Sequence, residues 1–123
     1  MMRLASFLAA AFVTQAAPAQ TAADRQQLAE ELRSEVDVYR GNLPVRDGVL
    51  TISRVDLRGT EVVYTGTIHA NFDAAAIARF REAVREGLCT QDTRDVILRG
   101  GAFTYDLEDE GGERFVTTVD NCG

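Results

Sequence analysis

The chain has 123 residues, a formal net charge of −6 at pH 7 and a sequence pI near 4.7. This acidic balance argues against nucleic acid and anionic membrane surfaces as partners, since both attract basic patches. The length fits one domain with a modest core, and all 13 basic residues are arginine.

The first features in chain order concern export. Arg3 supplies a positive start, and residues 4–13 (LASFLAAAFV) contain a single polar residue, Ser6. That run has the length of a signal-peptide apolar region and is too short to cross a bilayer as a helix, which takes roughly 20 apolar residues. Ala17 and Ala19 flank Pro18 in the small-x-small pattern that signal peptidase reads. The expected cut falls between Ala19 and Gln20, with a cut after Ala16 as second choice. Residues 1–19 are thus expected to be a signal peptide and residues 20–123 one mature α+β domain. No cysteine stands at the cut to carry a lipid, and no later segment is apolar enough to span a membrane. The mature form is expected to be periplasmic and without a membrane anchor.

The mature chain alternates between helical and strand periods. Thr21 is a candidate helix N-cap with Asp24 three residues on, although residues 20–23 read as a loose terminus. Leu28, Leu32, Val36 and Tyr39 follow at helical spacing until Gly41 and Pro44 end the pattern. Residues 49–57 are β-branched and apolar, with a phase slip between Ile52 and Val55 that predicts a bulge near Ser53. After Gly59 and Thr60, residues 61–69 alternate, which predicts a hairpin. Asp73 caps a second predicted helix with the stripe Ile77, Phe80, Val84 and Leu88. A short third helix is expected within residues 90–99, stopped by Gly100 and Gly101. Phe103, Tyr105 and Leu107 then alternate with polar residues, and residues 115–119 return after Gly111 and Gly112. The expected architecture is a four-stranded antiparallel sheet with helices packed on one face. Strand order stays open at this level.

Cys89 and Cys122 are the only cysteines. An even pair in a small exported domain points to a structural disulfide, here expected between the end of the second helix and the end of the last strand. Catalytic constellations are absent. Ser34 and Ser53, the serines of the mature chain, sit in no nucleophile elbow, and His69, the single histidine, lies at a predicted strand end. The acidic run Asp106, Glu108, Asp109, Glu110 and Glu113 lacks the spacing of a calcium loop and reads as a solvated hairpin tip. No cofactor or metal site is expected, and the chain is not read as an enzyme.

Leu43-Pro44-Val45, Gly48, Leu50-Thr51-Ile52-Ser53-Arg54 and Gly59-Thr60-Glu61-Val62 resemble the first half of the beta-type pilotins of type II secretion. Cys89-Thr90-Gln91-Asp92, Gly100-Gly101, Tyr105, Gly111-Gly112 and Cys122 continue the resemblance. It implies an α+β domain with one disulfide at Cys89 and Cys122, and a protein partner, the C-terminal segment of a secretin subunit. One departure stands out: a pilotin typically carries a lipidated cysteine where this chain has Ala19 and Gln20. The resulting expectation is a soluble periplasmic protein that binds a peptide or protein segment, either as a helix in a groove or by strand addition. The rival expectation is a small secreted enzyme inhibitor presenting the 108–113 loop, or a hydrolase built around His69.

Overall fold

The computed structural model describes residues 21–123, so the expected signal peptide and the cleavage point at Ala19 and Gln20 lie outside the described residues. Thr21 opens helix α1 (Ala22–Arg40) through a reciprocal cap. The Asp24 amide donates to Thr21 Oγ1 at 3.0 Å and the Thr21 amide donates to Asp24 Oδ2 at 3.4 Å. With two otherwise orphaned amides satisfied, the helix begins at Ala22 and residues 22 and 23 are not loose. Its stripe of Leu28, Leu32 and Val36 is buried.

The chain continues as β1 (Val45–Asp47), β2 (Leu50–Arg58), β3 (Glu61–Ile68), α2 (Ala74–Cys89), α3 (Thr93–Leu98), β4 (Ala102–Glu108) and β5 (Arg114–Val119). The strands form one sheet in the order β1-β2-β3-β4-β5. The expectation of four antiparallel strands is corrected in two respects. The sheet has five strands, because Val45–Asp47 folds back on Leu50–Ile52 through a tight turn in which Gly48 adopts a φ of 61°. Three residues are too few to display alternation, so this strand is invisible to periodicity. The second correction is that β3 and β4 run parallel, with Glu61 opposite Ala102 and Thr67 opposite Glu108. Helices α2 and α3 lie between these strands and return the chain to the end of the sheet where β3 began. That is how a parallel neighbour is reached. The other pairs are antiparallel.

All three helices cover one face of the sheet. Val55, Val62, Phe103 and Val119 pack with the α1 stripe and with Ile97 of α3. Ile52, Ile68, Leu107 and Phe115 form a second cluster joined by Ile77 and Phe80 of α2. The phase slip seen in the sequence is a bulge: the β2–β3 register shifts between Ile52 and Arg54 and leaves Ser53 without a partner in the ladder. Opposite it, Gly66 is buried, and a Cβ there would run into the Thr51 carbonyl. The uncovered face carries polar cross-strand pairs. Thr104 donates to Glu61 at 2.5 Å and shares a 2.8 Å bond with Thr118, while Arg114 grips Asp106 with two nitrogens.

Both open edges of the sheet meet an arginine. Arg40 donates Nε to the Val55 carbonyl at 3.0 Å, on the half of β2 that β1 does not reach. Arg81 of α2 donates to the Val116 carbonyl of β5 at 3.1 Å. Alternate carbonyls of an edge strand point away from the sheet, and an unsatisfied row invites another chain.

Cys89, the last residue of α2, is bonded to Cys122, with the two Cα atoms 5.6 Å apart. The bond fastens the end of α2 to the tail beyond β5. Among the described residues no cysteine is free.

Candidate functional site

Between α1 and α3 lies a groove of about 610 Å³. Its floor is Val55 of β2, Val62 and Tyr64 of β3, and Phe103 of β4. One wall is α1, which turns Leu28, Leu32 and Val36 downward and leaves Glu31, Ser34 and Glu35 at the rim. The other is α3, contributing Asp92, Thr93, Asp95, Val96 and Arg99.

Helix α3 is only one and a half turns long, so its placement depends on its ends. Thr93 Oγ1 donates to the Leu88 carbonyl at 2.6 Å, tying its start to the end of α2. At the other end the Gly101 amide donates to the Val96 carbonyl at 2.8 Å. A Cβ on Gly101 would meet the Val96 side chain and carbonyl. The double glycine is therefore a packing requirement as well as a stop. Ile97 is buried and Leu98, its neighbour, is 67% exposed.

The two walls are joined at the rim by one ion pair. Arg99 donates Nη1 to Glu31 Oε1 at 2.8 Å and Nη2 to Glu31 Oε2 at 3.0 Å, a bidentate geometry that fixes direction as well as distance. Asp95 adds a weaker contact to the same guanidinium at 3.6 Å. The hydrogen bond from Arg99 holds the Glu31 carboxyl below its ordinary range. Four carboxylates line the groove (Glu31, Glu35, Asp92 and Asp95) against the single arginine. Toward the C-terminal end of α1 the floor becomes aromatic. Tyr39 meets Tyr64 edge-on at 5.4 Å, and Tyr64 stacks on Tyr105 at 4.9 Å and on Phe103 at 6.5 Å. Burial raises the Tyr64 hydroxyl above its usual pKa, reinforced by Tyr105, Tyr39 and Glu35.

The residues singled out from sequence do not converge. Ser34 lies on the groove rim. Ser53 donates to the Thr65 carbonyl at 3.3 Å in the bulge. His69 is exposed, its Nε2 2.8 Å from the Thr51 hydroxyl; it does not line the groove, and Ser53 is bonded elsewhere. The acidic run is split: Asp106 pairs with Arg114, while Asp109 is buried and accepts backbone amides from Phe72, Gly111 and Glu113 at 2.9–3.1 Å. Among the described residues no group of three or more His, Cys, Asp or Glu is arranged to hold a metal. No described helix is long and apolar enough to cross a membrane. Glu31 and Arg99, 68 positions apart, went unnoticed in the sequence, and no local pattern links them.

No family model and no curated protein matches this chain. Its fold is nevertheless pilotin-like. EpsS, the pilotin of the Vibrio vulnificus type 2 secretion system, matches with a TM-score of 0.71 at 14% identity, over 84% of this chain and 98% of that one. The type II secretion pilotin AspS of Vibrio cholerae matches with a TM-score of 0.66 at 17% identity, over 82% of this chain and 94% of the other.

Proposed function

We propose that the mature chain, residues 20–123, is a non-enzymatic periplasmic protein that holds a segment of a partner protein in the groove between α1 and α3. The groove carries this reading: a cleft of about 610 Å³, lined in part by half-buried Tyr39, Tyr64 and Val96, lies between two helices in a fold shared with proteins of type II secretion. Of the floor strands, β3 and β4 are flanked on both sides, and Arg40 takes the Val55 carbonyl on the half of β2 that β1 does not reach, so strand addition finds little free backbone there. An element that presents side chains, such as a helix, fits the groove better. The partner is proposed to be a secretin subunit of the outer membrane, met through its C-terminal segment. With Ala19 and Gln20 at the proposed cut, the mature form carries no lipid and acts as a soluble binding partner.

The test is site-specific photo-crosslinking in cells. A photoreactive residue replaces exposed Ser34 at the groove rim or, as control, Val116 on the uncovered sheet face, which is 46% exposed. Capture of a secretin from Ser34 and not from Val116 is expected. Capture from Val116 alone, or capture of soluble hydrolases only, overturns the reading. Mass spectrometry of the exported chain tests the rest: loss of residues 1–19, a disulfide and no acyl group.

A further inference from the structure

The last strand leaves its outer backbone open. The phase of β5 is fixed at the hairpin tip, where the Asp109 amide donates to the Glu113 carbonyl at 2.8 Å. Bonded and non-bonded positions alternate along an antiparallel pair. Phe115, Thr117 and Val119 therefore bond to β4, and the N–H and C=O groups of Arg114, Val116 and Thr118 point out of the sheet. Among the described residues, the Val116 carbonyl alone of these outward groups has a partner, Arg81 of α2. All three residues are exposed, and the strand holds no glycine, proline or acidic residue. Such an edge accepts a further strand. The opposite edge is more engaged: Arg40 takes the Val55 carbonyl of β2, and both Arg40 and Arg54 reach Asp56.

The β5 edge is also cationic, in a chain of net charge −6. Helix α2 turns Arg81 and Arg85, one helical turn apart, toward it. Arg81 donates to the Val116 carbonyl at 3.1 Å and Arg85 to Asn121 Oδ1 at 2.9 Å. Both acceptors are neutral, and neither guanidinium makes an ion pair among the described residues. Glu82 and Glu86 of α2 fall, by helical spacing, on the side away from its stripe of Ile77, Phe80, Val84 and Leu88. Glu113 and Asp120 stand just outside the two ends of β5. A second copy paired through this edge would set its own Arg81 and Arg85 against these, a like-charge contact. An extended segment bearing carboxylates does the reverse.

We propose that β5 is a second docking edge, which takes an extended acidic segment of a partner protein as an added strand. No residue of α2 or β5 lines the groove, so the two sites are separate and the occupant is assigned to a different partner. The arriving strand donates an amide to the Val116 carbonyl, and the amides of Val116 and Thr118 gain acceptors. Arg81 leaves its neutral acceptor for a carboxylate, a stronger charge-assisted bond. Alternate side chains of a strand point to opposite faces. Acids at every second position therefore meet Arg81 and Arg85, while the residues between them lie on the face of Val116.

The experiment uses the mature chain and end-blocked peptides of about seven residues in which valine alternates with glutamate, glutamine or lysine. Binding is followed by fluorescence anisotropy and by amide hydrogen exchange. The glutamate peptide is expected to bind at least about tenfold more tightly than the lysine peptide, with glutamine between. It is expected to slow exchange at Val116 and Thr118, while Phe115 and Thr117, already in the ladder, change little. Val116→Pro removes an outward N–H, which an edge strand tolerates, and is expected to abolish binding while circular dichroism shows the fold intact. Arg81→Gln with Arg85→Gln is expected to narrow the gap between glutamate and lysine to about threefold or less. If Val116→Pro unfolds the chain, the arginine variant and the exchange pattern decide. No binding of the glutamate peptide, or protection away from β5, overturns the edge as a site. Equal binding of the peptides overturns the acidic preference. A wild-type dimer in sedimentation velocity that Val116→Pro disperses assigns the edge to a second copy and overturns the proposal.

Discussion

Asp109, at the tip of the last hairpin, accepts the amide of Phe72 from 37 positions earlier in the chain, at 3.1 Å. The same carboxylate takes the Gly111 and Glu113 amides at 2.9 Å each. One side chain therefore shapes the β4–β5 turn and pins it to the segment that leads into α2. These amides, with that of Phe72 foremost, hold the Asp109 carboxyl below its ordinary range.

A group depressed in the folded state stabilises the fold above its unfolded pKa and loses that contribution as pH falls through its folded value. Asp109, Asp106 beside Arg114, and Glu31 beside Arg99 are all depressed. The melting temperature is therefore expected to decline as pH drops below about 4, where free carboxylates titrate. Asp109→Asn is expected to melt several degrees lower at pH 7 and to show a shallower acid decline. Thermal melts across pH check both, and a variant parallel to wild type would exclude Asp109 as a source.

Reduction of Cys89–Cys122 releases a loop of 33 residues, for which the chain-entropy model gives about 3–4 kcal/mol of lost stability. Urea unfolding with and without reductant measures it. A loss below about 1 kcal/mol would mean that packing alone holds the tail beyond β5.

Ile97 and Leu98 are adjacent, yet one is 4% exposed and the other 67%. Ile97→Ala is expected to cost about 2–5 kcal/mol, because it empties the one buried contact of α3. Leu98→Ala is expected to stay within about 0.5 kcal/mol. Equal effects in denaturant titrations would contradict this placement of α3.

Arg40 and Arg81 cover outward carbonyls of β2 and β5. Arg40→Ala combined with Arg81→Ala is expected to shift the protein toward concentration-dependent association while leaving the secondary structure intact. Sedimentation velocity at rising concentration reads this out, and an unchanged monomer would show that these edges need no cover.

Much of the fold was legible wherever a signal is local. Thr21 with Asp24, Asp73 before α2, and the slip between Ile52 and Val55 each became the cap or bulge that its residues indicated. The strand at Val45–Asp47 escaped because three residues show no period, although Gly48 marked its turn. The parallel pairing of β3 with β4 escaped because alternation records which face a residue takes and says nothing of strand direction. The groove was the least legible feature. Its walls come from α1 and α3, and the pair that joins them, Glu31 and Arg99, looks in sequence like two ordinary surface charges.

The parallel seam also has a consequence for how the groove forms. Each hairpin closes locally, but Val62 and Phe103, neighbours in the groove floor, pair across strands separated by about forty residues of chain. The entropy of that closure is recovered only when α2 and α3 have folded and carried β4 back beside β3. A chain can thus hold the β1–β2–β3 meander and the β4–β5 hairpin and still have no floor between α1 and α3. The groove then forms only at the last long-range step of folding, and a chain that has not taken it has no cleft to offer the proposed partner.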